Sequence, residues 1–211
     1  TCRASTHAAN FAGWLSSTLY GDWYAKKANQ VVKDHLVSSI PVPLAFGYVK
    51  SARVLTSRVF DFMNKTLLLS FRHPVKVLST LEGPRDGISA VGNHYLPPQL
   101  WNISYRMGFR TFQKVVYKVL RVQKTDTSLL MTGADMDNLS VQTKYFKAMR
   151  VTALVTAGVR SNAVRMSKDT GRYYKPGTIN ILLLTNCRLT PRAMARAVIS
   201  ATEGKTAALQ D

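Results

Sequence analysis

The chain has 211 residues and a mass of 23.5 kDa, and it is 46% apolar and 19% charged, the balance of a globular protein with its own core rather than of a disordered one. Its strongest apolar runs, at 67–69 and 179–184, are far too short to cross a bilayer as a helix. Lys and Arg number 29 against 11 Asp and Glu, a formal net charge of +18, yet the cations are dispersed, with Lys26-Lys27 the one Lys-Lys pair.

Such an excess suggests nucleic acid or an anionic membrane surface when it is clustered. Here the cations do not interleave with aromatics as in single-strand binders, so nucleic acid is disfavoured as the main partner. Peripheral contact with an anionic membrane and a homo-oligomer stay open. Cys2 and Cys187 cannot build a disulfide framework, no secretory leader is visible, and a cytoplasmic location is expected.

In chain order, Phe11, Leu15, Leu19 and Trp23 form an apolar stripe, and the first forty residues read mostly as helix. Ile40-Pro41-Val42-Pro43 ends that unit. Segments 66–72, 75–81 and 87–95 then read as a β-meander. Residues 110–122 return to a helical period through Phe112, Val115, Val116, Val119 and Leu120, although their β-branched content would also suit a strand. A strand is expected at 128–132, a helix capped by Asp135 or Asp137 through about Met149, and strands at 151–157 and 179–185. Thr190-Pro191 reads as an N-cap with proline in the first turn of a C-terminal helix. The fold class is thus α/β or α+β: a single layered domain, 48–211, with helices packed on a mixed sheet, preceded by a helical extension, 1–47.

No phosphate-binding loop, dinucleotide fingerprint, zinc-protease motif or nucleophile elbow is present. His7, His35, His73 and His94 lie at no metal-ligand spacing, so no metal is expected, and Cys187 reads as a small apolar filler. Asn, Thr and Gly crowd the predicted strand ends instead. Asn162 follows one strand and Asn180 sits inside another, where an amide either ties down a neighbouring loop or faces a ligand. On the last helix Met194, Ala197, Val198 and Ala201 share a face; Glu203 falls opposite it and Lys205 close to it, while Gly204 threatens a break. Glu82 and Glu203 are the chain's two glutamates.

Three blocks, Val-Thr-Ala-Gly-Val-x-x-Asn-Ala at 155–163, Gly-Thr-Ile-Asn-Ile at 177–181 and Ala-Thr-Glu-x-Lys-Thr-Ala-Ala-Leu at 201–209, together resemble the adenosylcobinamide amidohydrolase (CbiZ) family. Val77-Leu78-Ser79-Thr80, Gly92-Asn93-His94 and Leu130-Met131-Thr132-Gly133-Ala134-Asp135 are similar to that family's upstream blocks. The resemblance covers about residues 55–211. It implies hydrolysis of the amide that joins aminopropanol to the corrin ring, in corrinoid salvage, with the corrinoid as substrate and no cofactor. On that reading Glu203 activates water, Asn93, Asn162 and Asn180 hold the amide and its oxyanion, and His94 supplies a proton. Asp135 is a second candidate for the chemistry, and Thr156, Thr178 and Lys205 complete the substrate contacts. The competing expectation is a non-catalytic basic protein that binds corrinoid or nucleic acid.

Overall fold

A computed structural model describes residues 34–158 and 177–210. The stripe from Phe11 to Trp23 and the segment around Asn162 lie outside these residues. The described chain is mixed α/β, with eight strands in two sheets and three helices. It divides into two compact units, residues 34–77 with 86–131, and residues 78–85 with 132–158 and 177–210.

The first unit holds most of a five-stranded sheet in the order β1-β2-β3-β4-β5, formed by His35–Pro41, Val49–Val59, Phe62–Ser79, Gly83–Tyr95 and Thr127–Thr132. The first strand corrects the sequence reading, which carried a helix through residue 40. Val37, Ser38, Ser39 and Ile40 favour extended backbone over helix, and β1 pairs antiparallel with β2. Pro41 still ends the element. The expected strands at 66–72 and 75–81 are one long strand, β3, that runs through Pro74. The Arg72 amide donates to Tyr48 O, just before β2 begins, so residue 74 aims its missing N–H beyond the end of β2.

Between β2 and β3 the two-residue bend is Phe60-Asp61, at φ 49° and 67°, as a tight hairpin requires. Neither residue is glycine. Burial of Phe60 against the Phe112 ring, centroids 6.0 Å apart, offsets the left-handed backbone, and Asp34 accepts the Phe60 N–H at 2.9 Å.

Helices α1 (Gln99–Met107) and α2 (Phe109–Leu120) cover one face of this sheet. Leu55, Phe62, Leu68, Ala90 and Leu129 from the strands meet Leu100, Ile103, Phe112, Val116 and Leu120 from the helices. Each of these side chains larger than alanine contributes about 1.5–3 kcal/mol when fully buried. That burial settles the ambiguous 110–122 segment as a helix. Gly92 allows a close approach within this core: a Cβ there would meet Leu129 Cδ1 and the Leu67 carbonyl oxygen, both at 2.7 Å.

The second unit holds a three-stranded antiparallel sheet of β6 (Ser140–Phe146), β7 (Met149–Gly158) and β8 (Thr178–Thr185). The helix expected from Asp135 to Met149 is replaced by a 3₁₀ turn, Met136–Asn138, and by β6. Asp135 does cap that turn, accepting the Asp137 N–H at 3.0 Å. Val141, Thr143 and Tyr145 alternate with polar positions, and pairing with β7 turns that alternation into a strand. Helix α3 (Pro191–Gln210) begins as predicted, with Thr190 Oγ1 accepting the Ala193 N–H at 3.2 Å, and it continues through Gly204 without a break.

Candidate functional site

In the second unit the register of β7 and β8 sets Thr156 opposite Asn180 and Gly158 opposite Thr178. Residues i and i+2 of a strand share a face, as do direct cross-strand partners. Thr156, Asn180 and Thr178 therefore lie on one face. Thr156 is fully buried, while Asn180 and Thr178 are half-buried, so the polar groups grade from interior to rim. The same face carries Thr152 and Leu154, both buried, and the Thr152 hydroxyl is 2.7 Å from that of Thr143. At its end a Cβ on Gly158 would sit 3.0 Å from Ala134 Cβ, so the 132–136 segment closes against the sheet there. Thr132 Oγ1 fixes that segment by accepting the Ala134 N–H at 2.9 Å.

The carboxylates sort by their partners. Glu82 is bound to Arg85 at 2.9 Å, Asp86 to Lys76, Asp61 to Arg58, and Asp135 is occupied by its cap. Asp34 accepts the Phe60 N–H and Asp126 the Thr127 hydroxyl. Asp137 is also engaged. Among the described carboxylates Glu203 alone has no hydrogen-bond or ion-pair partner, and it is exposed on the side of α3 away from the half-buried Met194, Ala197, Val198 and Ala201. Lys205 is half-buried, as the helical arithmetic expects. Cys187 is exposed rather than a core filler; it follows Asn186, whose side chain accepts the Arg150 N–H at 2.8 Å and donates to Ala148 O at 2.9 Å across the β6–β7 turn.

The first unit contains a second polar assembly. His94 is fully buried on β4, its Nδ1 2.7 Å from Thr66 Oγ1. Burial lowers its pKa from 6.5 to about 3, so at neutral pH the ring is uncharged. Asn64 shares the face of Thr66, and Ser57 is its direct partner on β2. Ser57 Oγ, Asn64 Oδ1 and His94 Nε2 are all buried without a hydrogen-bond partner among the described residues. Asn93 is buried too, but adjacent strand residues face opposite ways, so it points to the other face of the sheet from His94.

Of the residues singled out in the sequence, Thr156, Asn180 and Thr178 come together on one face. Asp135, Glu203 and Lys205 belong to the same unit, whereas Asn93 and His94 belong to the other and to opposite faces of it. Ser57, Asn64 and Thr66 went unnoticed. Their signal was polarity at strand positions that share parity with the core residues Leu55, Phe62 and Leu68. No group of three His, Cys, Asp or Glu among the described residues is placed to hold a metal ion, and no described helix is long and apolar enough to cross a membrane.

The site thus falls in a mixed α/β protein with a neutral, amide- and hydroxyl-lined sheet face. Residues 47–211 match the adenosylcobinamide amidohydrolase (CbiZ) family, and the chain belongs to it. An uncharacterized protein of Methanocaldococcus jannaschii is 37% identical over 165 residues, which cover 70% of this chain and 64% of that protein. No solved structure matches the chain.

Proposed function

We propose that the protein hydrolyses the amide between the aminopropanol arm and the corrin ring of adenosylcobinamide, releasing adenosylcobyric acid and 1-amino-2-propanol for corrinoid salvage. Family membership over residues 47–211 carries this reading. The face shared by Thr156, Asn180 and Thr178 supports it, because a corrinoid rimmed with amide arms calls for neutral donors and acceptors rather than charge.

Glu203 is the proposed base. Its carboxylate is exposed, so water reaches it without desolvation. Water loses a proton to Glu203 as its oxygen adds to the amide carbon. The resulting oxyanion needs donors, a role for the Asn180 amide. As the C–N bond breaks, the proton held by Glu203 passes to the departing nitrogen, leaving a carboxylic acid and an amine.

Incubating the full chain with adenosylcobinamide and weighing the products by mass spectrometry tests this directly. The expected result is equimolar adenosylcobyric acid and aminopropanol. A coloured protein–corrinoid complex that survives incubation with its substrate uncut would replace the hydrolase with a carrier.

A further inference from the structure

The cations look dispersed along the sequence, but the fold gathers some of them. Residues 87–125 contain no Asp or Glu. Within that stretch Arg110, Lys114, Lys118 and Arg121 are exposed at i, i+4, i+8 and i+11, the last at the C-cap of α2. At 100° per residue they span an arc of about 80°, in a row about 16 Å long. Phe112, Val116, Val119 and Leu120 are buried on the remaining faces of α2.

This row runs against ordinary helix electrostatics. Arg110, Lys114 and Lys118 are like charges one turn apart, which repel, and Arg110 stands in the first turn, where the macrodipole favours an acid. None of the four has an ion-pair partner among the described residues; half-buried Asp34 lies near enough to Lys118 to sense its charge.

We propose that this face docks on an anionic lipid bilayer. The row supplies charge complementary to the headgroups, with no carboxylate between residues 87 and 125 to oppose it. The apolar side of α2 is consumed by the core, so the helix rests on the surface rather than embedding in it. Nucleic acid fits less well: no exposed aromatic side chain lies between the cations of the row, so successive bases along it find no stacking platform.

The test is sedimentation of the full chain with phosphatidylcholine vesicles and with vesicles containing phosphatidylserine, at two salt concentrations. Binding is expected to the serine-containing vesicles alone and to weaken with salt. The triple variant Arg110→Gln, Lys114→Gln, Lys118→Gln should bind about a hundredfold more weakly, since each cation is worth roughly fivefold at such a surface, while hydrolysis of soluble adenosylcobinamide is unchanged. Equal binding to neutral vesicles, or wild-type binding by the triple variant, overturns the proposal. So does tighter, row-dependent binding to single-stranded RNA than to vesicles.

Discussion

Thr66 and His94, 28 residues apart on neighbouring strands, meet at 2.7 Å inside the first unit, where burial keeps the imidazole neutral. The unfolded chain takes up a proton on this ring near pH 6.5, whereas the folded chain does so only near 3. Protonation therefore favours unfolding, and stability falls as pH drops from about 6.5 towards 3. Each pH unit in that window costs about 1.4 kcal/mol. Between pH 7 and pH 5 the wild type should lose about 2 kcal/mol more than His94→Gln, by urea unfolding at each pH. Parallel profiles for the two proteins would refute the buried neutral ring.

Gly92 tests the packing around that ring. An added methyl meets a backbone carbonyl that cannot rotate away. Gly92→Ala should lower stability by about 1–3 kcal/mol, read as a reduced urea midpoint at unchanged slope. Gly204→Ala, in open space on the exposed side of α3, should instead raise it by about 0.5–1 kcal/mol.

For the proposed reaction, Glu203→Gln keeps the shape of the side chain and removes its basicity. Turnover should fall about 10²- to 10⁴-fold, with corrinoid affinity retained by equilibrium dialysis. Turnover near wild type would exclude Glu203 as the base.

Asn180→Ala removes a half-buried amide opposite Thr156. If that amide holds substrate, KM should rise about tenfold, the worth of a good hydrogen bond, and steady-state kinetics will show it. A change in melting temperature with unaltered KM would assign Asn180 to the fold alone.

Lys114→Glu converts two like-charge neighbours into two ion pairs with Arg110 and Lys118. Stability should rise by up to about 1 kcal/mol, seen as a melting temperature higher by about 2–4 °C, while binding to serine-containing vesicles falls. Gain in one and loss in the other would show a surface kept for contact at the expense of its own helix.

Much of this architecture was legible in the sequence. The Phe112–Leu120 stripe, the Thr190-Pro191 cap and the strands at 151–157 and 179–185 each carry a local signal that the fold obeys. Residues 140–146 misled because Asp135 is a real cap, and a cap does not say how long its helix runs. Residues 35–41 misled because the proline pair that stops a helix equally stops a strand. At the site, Thr156 and Asn180 could be named but not paired, since register is set by strand partners rather than by either strand alone. Asn93 and His94 looked like one unit because they are neighbours in the chain, and the pleat separates them.

The bend at Phe60-Asp61 bears on how the chain finds its fold. A turn of Asn-Gly type closes by itself, but this one is held by a ring buried against Phe112, fifty-two positions downstream. We therefore expect the corner of the β2–β3 hairpin to set only once the Phe60–Phe112 contact forms, a long-range encounter of the kind that slows folding. Truncating Phe60 to alanine, or removing its partner ring, should disturb the same step of assembly, even though one residue shapes a corner and the other lies on a helix.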